Sequence, residues 1–315
     1  MKNLLVIHYS QSGQLTEIIK NITSTITTKE INIDYHEIKM VKPYPFPWPK
    51  DEFFDVFPET FQQIPQPILP VPQHILNKNY DLIIFGYPVW YLTAGLPITS
   101  FLNTPDAKKL LKNKPIITVI GCRNMWIMAQ EKLKVKLAQL NANLVGNIVL
   151  ADRHINHISV ITIVDWMFTG KKRKKFGVFP KPGVSQRDIN ESTKFGEVIK
   201  EHLIKGNYTN LQNNLLKKEA VKIKPFLILA DKRANIIFSK MSTLILKKGE
   251  QSLSKRKFWL NFFNYYLLFA IWVIAPIVFM LFLLTYVFSI HKIKKDKEYY
   301  SSVRNTYNNE RSLHK

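Results

Sequence analysis

The chain holds a single cysteine, Cys122, among 315 residues. No intrachain disulfide can form, and nothing points to an oxidising compartment. It lacks both the GxGxxG spacing of a dinucleotide fingerprint and the GxxxxGK[ST] lysine of a P-loop, so those two phosphate-binding readings fit poorly. No cleavable leader is expected either. Met1-Lys2-Asn3 precede an apolar run that is too short, ends in Ser and Gln, and meets no small-residue cleavage site. The formal charge is +22, but no aromatic-interleaved basic module accompanies it, so nucleic acid is not an expected partner. His154 and His157 stand three apart after Asp152, a spacing that suits a metal only on a helix. Their neighbours read as loop or strand, so they are taken as surface histidines and no metal is expected.

What is present is unevenly distributed. Residues 1–150 carry 15 Lys/Arg against 11 Asp/Glu, whereas residues 206–315 carry 19 against 6. The basic excess therefore belongs mainly to the C-terminal third. There, residues 258–290 contain no charge at all, well beyond the roughly 20 apolar residues that a membrane span needs. Phe258, Trp259, Phe262, Phe263, Tyr265 and Tyr266 gather at one end, as an interfacial belt would. Lys255, Arg256 and Lys257 precede the segment; Lys292, Lys294, Lys295 and Lys297 follow it. A single tilted helix over about 267–290 is the simpler reading. A re-entrant hairpin bent at Pro276, with both ends cytoplasmic, accounts for two basic flanks. Residues 225–247 predict a basic amphipathic helix with Pro225 in its first turn, lying on anionic lipid or packed on the head. Lys171-Lys172-Arg173-Lys174-Lys175 fits the same membrane proximity. The organisation expected is a head over 1–205, a helical linker over 206–257, an anchor over 258–290 and a polar basic tail over 291–315, placed at the inner membrane with the head in the cytoplasm.

The head alternates apolar runs (4–9, 31–38, 80–86, 115–121, 142–150) with helical stretches (15–25, 92–103, 129–138, 185–204). Five strands alternating with helices predict an α/β fold, a doubly wound parallel sheet covered on both faces. Ligands of such sheets bind beyond the carboxyl ends of the strands, where strand order reverses. The first strand runs into Ser10-Gln11-Ser12-Gly13-Gln14-Leu15-Thr16. That order offers hydroxyls, a glycine for close backbone approach, and the N-terminus of a helix for an anion. It suits the single phosphate of a flavin mononucleotide, or it is an ordinary turn in which Gly13 serves only the bend. After the third strand, Gly86-Tyr87-Pro88-Val89-Trp90-Tyr91 sets flat rings where an isoalloxazine can stack, or where a rim aromatic would sit.

The pairing of Ser-Gln-Ser-Gly-Gln with Gly-Tyr-Pro-Val-Trp…Ala-Gly-Leu-Pro resembles the flavodoxin-like FMN proteins, particularly the NAD(P)H:quinone reductase branch. The resemblance implies that Ser10, Ser12, Gly13, Gln14 and Leu15 bind the FMN phosphate and that Pro88, Val89 and Trp90 border the ring. A third loop, Gly121-Cys122-Arg123-Asn124-Met125-Trp126, would frame the cofactor through Gly121 and Asn124, with Trp126 toward substrate. Two departures stand out: Leu15 replaces a hydroxyl residue, and the third loop lacks the glycine-rich form. The whole layout, with its Ile-Gly-Cys-Arg-Asn-Met-Trp loop and C-terminal membrane segment, is similar to bacterial dialkylresorcinol condensing enzymes of aryl-polyene and flexirubin lipid pathways. That similarity implies aromatisation of a dialkyl-cyclohexanedione, a lipid-like substrate and a ketosynthase partner. Tyr87, Tyr91 and Arg123 are the candidates for proton handling or enolate stabilisation.

Residues 43–73 hold nine of the seventeen prolines, a density that predicts stiff polyproline-like segments rather than helix. Leaving the sheet at a strand's carboxyl end, the insert can close over the site, with Tyr44, Phe46, Trp48, Phe53 and Phe54 as an apolar substrate wall. It can also serve as a docking ligand or pack on the membrane. The competing functions are a membrane quinone reductase, a flavin-carrying shuttle and a flavin-free scaffold for a ketosynthase.

Overall fold

A computed structural model describes residues 1–305; the last ten residues of the expected polar tail lie outside the described residues. Five parallel strands form the sheet: β1 (Lys2–His8), β2 (Ile31–Glu37), β3 (Leu82–Trp90), β5 (Pro115–Cys122) and β6 (Asn143–Ala151). A two-residue strand, β4 (Thr93–Ala94), folds back antiparallel on β3. Strand order is β2-β1-β3-β5-β6, the flavodoxin-like order, which reverses between β1 and β3. The central strands read as unbroken apolar runs because both of their faces are buried. Leu5, Ile7, Ile83 and Phe85 point to one layer; Leu4, Val6, Leu82 and Ile84 point to the other. Register pairs His8 with Gly86 and Pro88 with Gly121, so three loops leave the same edge side by side.

Helix α1 (Gln14–Ser24) follows the first loop. The insert carries α2 (Lys50–Asp55), α3 (Phe57–Phe61) and α4 (Gln73–Leu76), short helices where none was expected. The reason is local: Pro49 and Pro72 are N-caps and Pro58 lies in a first turn, where a missing N–H costs nothing. Next come α5 (Leu96–Leu102), α6 (Pro105–Leu111) and α7 (Ile127–Gln139). The segment after β6 is a helix, α8 (Asn156–Thr169), not the expected loop or strand. His154 stays in the loop, its Nδ1 2.6 Å from Asp152, and His157 lies against the Ile271 carbonyl at 3.0 Å. Among the described residues no cluster could hold a metal ion. The expected helix over 185–204 divides into α9 (Gln186–Asn190) and α10 (Thr193–Lys205), and α11 (Leu211–Lys217) completes that layer.

The C-terminal part comprises α12 (Pro225–Gln251), α13 (Leu253–Phe269), a π turn (Ala270–Ile274) and α14 (Ala275–Ser301). Pro225 starts α12 as anticipated. Its apolar stripe, with Ile228, Phe238 and Ile245 buried, packs on the head and on α13. Burial inside the protein, rather than on lipid, decides between the two readings of this helix. A third apolar cluster joins Phe57, Phe61 and Leu92 of the head to Phe238, Ile245, Leu260 and Phe263.

Candidate functional site

The three loops at the β1–β3 reversal meet. Leu15 is buried and packs directly on Gly121, where an added Cβ would stand 3.2 Å from the leucine Cδ1. The apolar residue in place of a hydroxyl thus joins the first loop to the third. Gly13 caps α1 with φ +80°, a left-handed conformation that favours glycine, and nothing lies within 4 Å of the place a Cβ would occupy. The space above the helix N-terminus is open. Ser10 Oγ accepts from the Thr16 amide at 3.4 Å, and Ser12 is half-buried. Gln14 is engaged elsewhere: its Nε2 donates to the Val184 carbonyl at 3.1 Å and its Oε1 accepts from the Val184 amide at 2.9 Å. That two-point clamp fixes the start of α1 to the chain before α9.

In the second loop, Val89 and Trp90 pair with Ala94 and Thr93. The turn between them places Tyr91 and Leu92 at φ +48° and +60°, a conformation uncommon away from glycine and concentrated at functional sites. Trp90 is the hub of an aromatic cluster. Tyr9, Tyr44 and Trp48 meet it edge-on at 5.9, 5.3 and 5.4 Å. The insert is tied down over this edge. Tyr9 donates to Gln11 Oε1 at 2.5 Å, Gln11 Nε2 donates to the Pro45 carbonyl at 2.6 Å, and Tyr91 donates to the Phe53 carbonyl at 2.5 Å. Of the expected substrate wall, Tyr44, Trp48 and Phe53 come together with Trp90 and Tyr91. Phe46 turns instead toward Trp166 of α8. Trp126, expected toward substrate, is instead in the core, directly before α7, where no substrate reaches it.

In the third loop, Arg123 Nη1 and Asn124 Nδ2 both donate to Asn156 Oδ1, at 2.8 and 2.9 Å. Burial lowers the Arg123 guanidinium to about 10, with Asp152 opposing, so it stays cationic at neutral pH. Asn124 Oδ1 is buried and finds no partner. An orphaned acceptor of this kind fits a ligand N–H. Tyr87 is fully buried in the core and donates to Gln130 Oε1 at 2.5 Å, so it cannot meet a substrate. Burial pushes the Tyr87 and Tyr91 phenols well above their ordinary range and the Tyr44 phenol to about 12. The Cys122 thiol is likewise pushed up by burial, which makes it a poor nucleophile. His8 is lowered to about 4, first by burial and then by Lys20, so it is neutral.

Sequence reasoning missed Gln11, Asn156 and Asp231. Asp231 is a lone acid on the inward stripe of α12, three residues past Ile228, and an inward charge is itself a signal. Its Oδ2 accepts from the Ile127 amide at 2.8 Å and the Met128 amide at 3.4 Å. It therefore caps α7 from another element, directly after the third loop. Burial raises its carboxyl to about 7, while those two amides and Lys132 pull the other way. A carboxyl raised in the folded state contributes stability that is complete below its unfolded value near 4 and is lost as pH rises through 7. We expect the melting temperature to fall between pH 4 and 7 and to level off above, with about 4 kcal/mol at stake. Asp231→Asn keeps an acceptor for Ile127 and should flatten that dependence, melting above the parent at pH 8 and level with it at pH 4. Parallel pH profiles for the two proteins would contradict the assignment.

No protein-family model and no curated protein matches the chain. Solved structures of similar fold include a flavoprotein in complex with FMN from Lactobacillus acidophilus NCFM (20% identity, 47% of this chain and 93% of that one, TM-score 0.37). A putative flavoprotein from Bacteroides eggerthii is 18% identical over 49% of this chain and 91% of its own, with a TM-score of 0.38. Flavodoxin 1 from Bacillus cereus is 16% identical over 65% and 98%, with a TM-score of 0.34. The fold assignment rests on this chain's own strand order, and no activity follows from these likenesses.

Proposed function

We propose that the chain is a membrane-associated, FMN-dependent oxidoreductase acting on a lipophilic ring, and that its reaction is aromatisation of a dialkyl-cyclohexanedione to a dialkylresorcinol. The observation that carries this is the meeting of three loops at the β1–β3 reversal, open at Gly13 and edged by Trp90. The residues fit the cofactor. The α1 N-terminus with Ser10, Ser12 and Gly13 would hold the phosphate, Pro88, Val89 and Trp90 would border the ring, and the orphaned Asn124 oxygen would accept from its N–H. When bound, FMN supplies a two-electron acceptor.

The overall change is loss of one proton and one hydride from the ring carbons, which leaves the enolised dione as a phenol. The chain's own residues have limited tasks in it. Arg123, oriented by Asn156, stabilises enolate oxygen. No tyrosine of the site is acidic enough to act as a base at neutral pH, but a carbon flanked by two carbonyls loses its proton easily and needs only a weak base. The half-buried Tyr44 and Phe53 offer alkyl chains an apolar surface. Behind it the rings are packed solid: Phe57 meets Tyr91 and stacks on Phe263 at 3.9 Å, which ties the insert to the C-terminal helix. The reading places the head on the cytoplasmic face of the inner membrane, with a ketosynthase as the source of substrate.

The test is to purify the full chain in detergent, record its visible spectrum, and assay dialkyl-cyclohexanedione turnover. Yellow protein that forms a resorcinol supports the proposal. Quinone-dependent NAD(P)H consumption without resorcinol would move the assignment to a quinone reductase. Colourless protein that refuses FMN would leave a scaffold. Within the active case, Arg123→Gln is expected to lower kcat by 10- to 100-fold with flavin content unchanged, measured on the flavin-loaded protein.

A further inference from the structure

The apolar stretch Leu253–Ser301 is 49 residues long, and its most apolar 18-residue window is not buried at all inside the protein. Both of its ends nevertheless return to the head. Near the start, Arg256 pairs with Asp55 at 2.7 Å and Glu59 at 2.9 Å, and Phe263 stacks on Phe57. Near the end, Asp296 pairs with Lys232 at 3.2 Å, and Tyr299 donates to Glu131 at 2.7 Å. Gln212 donates to the Ser301 carbonyl at 2.8 Å, and Tyr300 is buried in the head's main core.

The contacts along α12 reverse direction. Arg256 lies beside Gly249, Phe263 beside Phe238, and Phe279 and Phe282 beside Phe226. Then Asp296 returns to Lys232. The π turn (Ala270–Ile274) and Pro276 lie between these two sets of contacts, and both are recognised causes of helix bending. A segment crossing a bilayer would separate its flanks by about 30 Å of hydrocarbon. Both flanks touch the same polar head, so a spanning arrangement would force that head itself into hydrocarbon, where its polar groups would go unsatisfied.

The face turned away from the head is apolar and exposed, including Leu268, Trp272, Ile277, Leu284 and Phe288, the last 90% exposed. A contiguous surface of this kind calls for a cover. The charges beside it name one. Lys255 and Lys257 stand at one end and Lys292, Lys294 and Lys295 at the other, all exposed or at the edge of the helix, and both sets suit anionic headgroups.

We infer that the exposed apolar middle of Leu253–Ser301 enters and leaves a single leaflet of an anionic bilayer from the head's side, which makes the protein monotopic and keeps both basic flanks on the head's side. This rests on the membrane association proposed above and is independent of the flavin. The test uses full-length protein with sealed vesicles of phosphatidylglycerol and phosphatidylcholine. Ser254→Cys and Lys294→Cys variants are labelled with a membrane-impermeant maleimide, and parental labelling at Cys122 is subtracted. The expected result is flotation with the vesicles and labelling at the two positions equal within twofold and unchanged by detergent. Lys292→Cys repeats the second position should the first variant misfold. Flotation with Lys294→Cys shielded until detergent is added would overturn the inference and leave membrane association intact. Failure to float, with the protein a dimer in solution, would overturn both and give the exposed face to a second copy.

Discussion

Ser12→Asp is expected to give a folded, colourless protein. A carboxylate at a helix N-terminus is favourable to the helix, by a few tenths to about 1 kcal/mol, so α1 and the sheet beneath it should be no less stable without cofactor. The same carboxylate occupies the field that a phosphate would use. Two like charges about 4 Å apart repel by about 4 kcal/mol at an effective dielectric of 20, and a bound phosphate carries more than one charge. Flavin affinity should therefore drop at least 100-fold, while the melting temperature of the flavin-free protein stays level or rises. Flavin content after purification and a melting curve of the stripped protein check the two halves separately. Retained flavin would show that the loop around Gly13 is only a turn.

Gly196→Ala should be the most damaging small substitution in the chain. Gly196 lies on α10 where it crosses α1, and an added Cβ would fall 1.9 Å from the Ile22 carbonyl oxygen and 2.2 Å from Thr25 Oγ1. The first is backbone and cannot rotate aside. Thr25 Oγ1 also donates to the Thr193 carbonyl at 2.9 Å, so separating the helices breaks that bond too. Overpacking usually costs 1–3 kcal/mol; with a backbone atom in the way we expect about 3 kcal/mol or more. The damage should reach the site, because α1 carries the first loop and Gln14 clamps it to Val184. Loss of stability and loss of flavin should occur together. Gly249→Ala is the control: its Cβ would meet only Arg256 side-chain atoms at 3.4 Å or more, so chemical denaturation should find it neutral or stabilising, as expected for a helix interior.

The parts legible from residues alone were those governed by local pattern. Apolar runs gave the five parallel strands, Ser10 to Thr16 gave a turn into a helix, and Pro225 marked the start of α12. The failures share a physical cause, which is that tertiary contact decided them. Proline in residues 43–73 excluded helix on paper, yet Pro49 and Pro58 sit where a helix begins. Asn156 and His157 opened a helix whose register is fixed by the third loop and the C-terminal segment. Tyr87 and Trp126 looked like crevice residues because they flank strand ends, but their side chains point into the core. Which way the apolar segment ran could not be read from two basic flanks; it depends on Tyr300 and Asp296 finding the head again.

Titrating the purified, flavin-stripped chain with FMN and with riboflavin asks most directly whether the loop after β1 holds a phosphate. The expected result is one FMN per chain and affinity for riboflavin at least 100-fold weaker, about 2.8 kcal/mol. Equal affinities, or no binding of either, would contradict it.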